Sequence, residues 1–182
     1  MKFNILAFLL LFAFSYTKAQ TYIQGENVVP LTSITNSGLL SATNRLSMTQ
    51  AFDIYSQRRS SPLFKKPSDL VGEFWLIDNL LIKIVSRQLS ATRKENFQEL
   101  RYVTGPPGVS IGKHKHEYFD TIKAVNNYEV FINYYYSDND KFFIIQDKQG
   151  RYKLSGTIIS TNADTKKAEA FMDTLLNSIT FK

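Results

Sequence analysis

The stretch from Tyr118 to Thr161 constrains the fold more than any other part of the chain. It divides into four runs rich in Tyr, Phe, Ile and Val (YFDTIKAV, YEVFINYYY, KFFIIQD and RYKLSGTIIST), separated by NN, SDND and KQG. Aromatic and β-branched side chains suit a pleated, partly buried surface. The separators are turn formers. Asn126-Asn127 tolerates the left-handed backbone of a two-residue hairpin, Ser137-Asp138-Asn139-Asp140 is a polar turn cluster, and Gly150 is placed for a bulged hairpin loop. The stretch therefore reads as an antiparallel meander. Alternation puts Tyr128, Val130, Ile132, Tyr134 and Tyr136 on one face of the second strand, and Glu129, Phe131, Asn133 and Tyr135 on the other. Neither set is cleanly polar, so this strand is expected to be covered on both sides.

The meander runs into an amphipathic segment over 164–179. Ala168, Phe171, Met172, Leu175, Leu176 and Ile179 recur at spacings of three and four, with Lys166, Lys167, Glu169, Asp173 and Asn177 off that stripe. The spacing predicts a helix, capped by Asn162 or Asp164, that docks on the sheet through Phe171, Leu175 and Ile179.

Upstream, Gly72–Ile77 and Leu80–Val85 flank Asp78-Asn79 and read as a hairpin. Thr92-Arg93-Lys94-Glu95 has the form of a capping box, predicting a helix from about Arg93 to Arg101 that buries Phe97 and Leu100. Gly105-Pro106-Pro107-Gly108 excludes regular structure after it. Residues 21–70 carry the weakest pattern. Gly25-Glu26-Asn27 and Asn36-Ser37-Gly38 read as turns, Met48, Phe52 and Tyr55 lie at helical spacing from near Ser47, and 56–69 reads as a loop.

The N-terminus has the layout of an export signal. Lys2 precedes an apolar run from Ile5 to Phe14, and Thr17-Lys18-Ala19 is a small-residue cleavage site before Gln20. The run is about half the roughly 20 residues that span a bilayer, and no later segment is long enough to do so. Cleavage after residue 19 leaves a mature chain, 20–182, read as one α+β domain in the periplasm or outside the cell. The chain has no cysteine, which excludes both disulfides and a cysteine-linked lipid anchor. Without Lys2 and Lys18 the formal charge falls from +6 to +4. Its basic pairs, Arg58-Arg59, Lys65-Lys66 and Lys166-Lys167, are scattered, and no nucleic-acid partner is expected.

Signals of chemistry are sparse. His114 and His116, the only histidines, share a face if their segment is a strand, and with Glu117 or Asp120 they could begin a metal site. Lys113 and Lys115 oppose a cation there. Only Asp120 has the right parity, and it stands about 13 Å beyond His116 along an extended chain. No metal site is expected. Ser110 sits in Gly108-Val109-Ser110-Ile111-Gly112, a nucleophile-elbow pattern that carries meaning only on a sharp strand-to-helix turn. Pro106-Pro107 and the polar run after it do not read as that context. Ser155-Gly156 lies inside a strand pattern, where Gly156 marks a bulge or close packing. Trp75, the only tryptophan, reads as a core anchor or, alternatively, a stacking platform. No phosphate loop or dinucleotide fingerprint is present.

From about Asp120 to Lys182 the chain resembles the PsbP-like superfamily. The likeness rests on Tyr128–Tyr136, Phe142–Ile145, Leu154-Ser155-Gly156-Thr157-Ile158 and the helix closing on Leu176-Asn177-Ser178-Ile179-Thr180-Phe181, with Phe74-Trp75-Leu76 to Ile84 matching the earlier hairpin more loosely. The resemblance implies an antiparallel sheet flanked by helices and a non-enzymatic binding or assembly role. It transfers no functional residue. The expectation is an exported, non-catalytic α+β binding or assembly module of the cell envelope, using a groove beside the aromatic sheet or the 102–117 loop. It requires no cofactor, takes an envelope protein or small ligand as partner, and has Trp75, His114, His116 and Tyr135 as its candidate ligand surface. The alternative is a small envelope hydrolase or metal-dependent enzyme centred on Ser110, His114 and His116.

Overall fold

The computed structural model describes residues 26–58, 65–89, 95–104 and 117–182. The expected leader, the Gly105–Gly108 connector, Ser110, His114 and His116 lie outside those residues. Two dipeptides set the hairpins: Asp78-Asn79 takes φ of 50° and 64°, and Asn126-Asn127 takes 49° and 63°. Successive left-handed residues make the type of turn whose twist matches the strands it joins. Around them run β4 (Glu73–Ile77) with β5 (Leu80–Leu89), and β6 (Tyr118–Val125) with β7 (Tyr128–Tyr135). β8 (Asp140–Gln146) and β9 (Tyr152–Ile159) complete the meander. In the loop between these two, Gly150 has φ of 66° and Asp147 Oδ1 accepts from the backbone N–H groups of Arg151 and Tyr152 at 2.5 and 2.8 Å.

The fold is α+β, and every strand pairing is antiparallel. The sheet runs β3 (Arg45–Leu46), β4, β5, β9, β8, β7, β6, so β9 joins the hairpin to the meander. β1 (Glu26–Val28) pairs with β5 at Arg87–Leu89, beyond the point where β4 stops at Ile84. A second ladder joins β2 (Thr35–Ser37) to β10 (Ile179–Phe181).

Strand alternation divides the sheet's side chains between two helical layers. On one face Trp75, Ile82, Ile84, Val130, Ile132, Phe143, Ile145, Leu154 and Ile158 form the main core. α4 (Thr165–Ser178) closes it with Ala168, Met172, Leu175 and Leu176, and α1 (Leu31–Ile34) adds Leu31 and Ile34. On the other face α2 (Met48–Arg58) packs Ala51 and Tyr55 on Phe74, Leu81 and Ile159. α3 (Phe97–Thr104) packs Phe97 on Phe131 and Ile144. β7 is thus covered on both sides, as its mixed pattern predicts. On the α2/α3 face β1 is fastened by charge. Glu26 pairs with Arg87 at 3.2 Å and with Lys153, whose ammonium also reaches Glu95 at 2.8 Å.

Several sequence expectations are corrected. Glu26-Asn27 is strand, because β5 outruns β4 and leaves an open ladder edge for it. Asn36 and Ser37 are also in a strand, drawn into pairing with β10. Of the expected loop over 56–69, residues 56–58 are helical: α2 continues to Arg58, whose guanidinium donates to the Ile159 carbonyl at 2.6 Å and to Asn79 Oδ1 at 3.1 Å, and residues 67–69 form a 3-10 turn. α3 begins at Phe97, not Arg93. Asn96 Oδ1 accepts from the N–H groups of Gln98 and Glu99, each at 3.2 Å, while Glu95 is held by Lys153. The last helix ends at Ser178, and Ile179 opens β10 with its side chain still in the core. Phe171 is only partly buried at the edge of that core, so docking rests on Met172, Leu175 and Leu176. Gly156 marks close packing, not a bulge: the β8–β9 register passes through it unbroken, and an added Cβ would lie 2.1 Å from Phe143 Cζ.

Candidate ligand-binding groove

The core does not fill the space where α4 passes the β6 side of the sheet, and a groove of about 370 Å³ opens there. Alternation brings Phe119, Thr121 and Lys123 of β6, Ile132 and Tyr134 of β7, and Lys141 of β8 to this face. Helical spacing brings Glu169, Met172 and Asp173 of α4 opposite them. Phe119 and Tyr134 stack at 4.9 Å between ring centroids, and Tyr136, 45% exposed, meets Tyr134 edge-on at 5.7 Å.

Lys141 is the most unusual group in the groove. Its side chain is fully buried, with Nζ 4.1 Å from the centroid of the Tyr134 ring. Nζ also donates to the Asp138 carbonyl at 3.3 Å and lies 3.5 Å from Glu169 Oε1. Burial pushes its pKa below the usual lysine range, and Glu169 opposes that shift. Burial first, and then the charges of Glu169, Tyr136 and Asp173, push the Tyr134 phenol up to about 12. At neutral pH Tyr134 is therefore a neutral hydrogen-bond donor. At the rim Lys123 and Asp173 form an ion pair. The groove thus presents aromatic rings, a hydroxyl, and two cations that each face a carboxylate. Such a lining suits recognition of a ligand with an apolar body and a polar group.

The structure distributes the sequence-derived site residues differently. Trp75 is 2% exposed in the main core, with its indole Nε1 unpartnered among the described residues, and contributes packing instead of a contact surface. Tyr135 is half-buried on the opposite face of the sheet, where its ring meets Tyr118 at 5.0 Å. The two are not brought together. Asp120, the local third-ligand candidate, gives both carboxylate oxygens to Arg101, at 2.7 and 2.5 Å. Among the described residues no group of three or more His, Cys, Asp or Glu side chains is arranged to hold a metal ion. The groove residues were not singled out by sequence reasoning, although Lys141 carries a signal. It shares strand parity with Phe143 and Ile145, both fully buried. Comparison with protein-family models, curated proteins and solved structures finds no match.

Proposed function

We propose that the chain is an exported, non-catalytic binding or assembly module of the cell envelope, which takes its ligand in the groove between α4 and the β6–β7 hairpin. The observation that carries this reading is the lining itself. Its rings stack on each other, its carboxylates face lysines, and Tyr134 keeps its proton as a donor, so the groove offers a ligand stacking, hydrogen-bonding and charged contacts. The leader-like sequence of residues 1–19 supports export. No helix of the described residues is long and apolar enough to cross a membrane. The PsbP-like resemblance supports the same functional class.

Two measurements test this. Mass spectrometry of the protein from the producing cell is expected to show a mature N-terminus at Gln20. An intact Met1 on folded protein refutes export. Affinity capture from the native envelope, run in parallel with wild type and a groove-filling Thr121→Trp variant, is expected to retain a ligand or partner on wild type that the variant loses. Equal capture by both, or chemical conversion of the captured species, refutes the groove reading.

A further inference from the structure

The lining of the groove narrows the class of ligand it can take. Charge comes first. Lys123 and Asp173 form an ion pair at the rim, and Lys141 faces Glu169 at 3.5 Å. Each cation is matched by a carboxylate, so the lining carries no net charge. An anionic ligand would have to draw a lysine from its carboxylate, and a cationic ligand would have to draw a carboxylate from its lysine. Either exchange leaves a partly desolvated charge without its partner, which is costly. The cost is greatest at Lys141, whose side chain is wholly buried.

Hydrogen bonding comes next. The Thr121 hydroxyl and the Tyr134 phenol line the groove, and neither has a hydrogen-bond partner among the described residues. Glu169 and Asp173 stand one helical turn apart on α4, with side chains 36% and 64% exposed. A carboxylate has room for several donors, so each can accept further bonds while it keeps its lysine. A wholly apolar ligand would cover these hydroxyls without pairing them. The groove therefore offers donors and acceptors side by side to a ligand without charge. Hydroxyl groups, which both donate and accept, match that offer. Beside them Phe119 and Tyr134 stack, and exposed Tyr136 continues the aromatic surface. A sugar ring combines a hydroxyl-rich edge with a face of C–H groups that packs on aromatic rings.

We infer that the groove takes an uncharged saccharide unit. The C–H face of the ring lies on the aromatic side, and its hydroxyls bond to Thr121, Tyr134 and the carboxylates of Glu169 and Asp173. This rests on the groove being the binding site and adds the class of ligand. A groove of about 370 Å³ falls at the lower end of the range for small-ligand pockets, roughly 300–1,000 Å³, and so suits a short saccharide segment instead of a folded partner.

Titration of the purified protein, followed by amide chemical shifts, tests it. The probes are tetrasaccharides of glucose, mannose, galactose and N-acetylglucosamine, with the matching monosaccharides and with glucuronate and glucosamine oligomers as charged counterparts. A neutral saccharide is expected to bind, with shifts centred on Thr121, Tyr134 and Glu169 and an affinity unchanged over a tenfold range of salt. Preference for the tetrasaccharide over its monosaccharide marks a segment of a chain as the ligand, and equal binding marks a free sugar. Tyr134→Phe and Thr121→Val each keep the shape and remove one hydroxyl. Each is expected to weaken binding about two- to tenfold. Thr121→Trp fills the groove and is expected to abolish it. Preference for a charged counterpart, or an affinity that falls steeply with salt, overturns the saccharide inference and leaves the groove as the site. Unchanged affinity in both Tyr134→Phe and Thr121→Val overturns it as well. A neutral saccharide that binds Thr121→Trp as tightly as wild type overturns both the ligand class and the groove. Binding by none of the neutral saccharides overturns the ligand class, and the envelope capture then decides the groove separately.

Discussion

Gly156→Ala measures how tightly the centre of the sheet is packed. Gly156 faces Phe143 on one side and Ile84 on the other, and the Phe143 ring is fully buried directly over it. A Cβ at 156 would stand 2.1, 2.2 and 2.8 Å from three atoms of that ring. Carbon atoms in good contact sit about 3.5–4 Å apart, so the ring must retreat by roughly 1.4 Å into a filled core. Over-packing of this kind costs typically about 1–3 kcal/mol. Alanine recovers roughly 0.5–1 kcal/mol of glycine's backbone entropy in a strand. The two ranges leave a net loss of roughly 0–2.5 kcal/mol, and a clash at 2.1 Å places it in the upper half, read as a lower urea midpoint at unchanged m-value. Phe143→Leu is itself destabilising, but it removes the ring edge that Cβ would strike. In that background Gly156→Ala is expected to be neutral or mildly stabilising. A neutral Gly156→Ala in the wild-type background refutes the reasoning. So does a loss of the same size in both backgrounds, since the coupling would then be zero.

Leu175→Ala is expected to lower stability by about 2–5 kcal/mol, as for a fully buried leucine. Phe171→Ala is expected to lower it by less despite its larger side chain, because Phe171 is only partly buried; urea titration of both variants ranks them. The Tyr134 phenol, raised from 10.0 to about 12 in the fold, predicts a loss of stability in alkali. Between those values the unfolded chain releases this proton and the folded chain keeps it. Unfolding thus becomes easier as pH rises above 10, with no contribution from this group below it. Tyr134→Phe is expected to show a shallower decline than wild type above pH 10 in chemical denaturation, and identical slopes would contradict the assignment.

The meander and the first hairpin were legible because local chemistry decides them. Asn126-Asn127 and Asp78-Asn79 dictate their turns, and the β-rich runs between turns have no competing period. The stripe on α4 was legible for the same reason, but Phe171 shows its limit. Periodicity says which side of a helix faces the sheet, not how far the sheet extends beneath it. β1, β2 and β10 were not legible. Each is a three-residue strand whose existence depends on an edge left open by a distant element, and Glu26-Asn27 or Asn36-Ser37 taken alone favours a turn. The capping box at Thr92 matched a valid pattern, but Lys153 holds Glu95 from another part of the chain and Asn96 caps the helix instead. A groove beside the aromatic sheet was one of the two expected binding places, but its lining was illegible because it contains no catalytic motif. Its residues come from four separate elements, and only parity on β8 marks Lys141 as an inward-facing cation.

The position of β9 has a consequence for how the chain is made. β5 spans residues 80–89, but its partner along most of that length is β9 at 152–159, and β2 waits still longer for β10 at 179–181. A polypeptide emerging in order therefore has its first half synthesised long before the seam that closes it. Contacts this distant in sequence form slowly, because a long loop must close before any of them stabilises the fold. A nascent chain therefore cannot complete the sheet and its second ladder until almost its last residue is made. A stop before Tyr152 removes the seam between two half-sheets, and neither half retains a closed core.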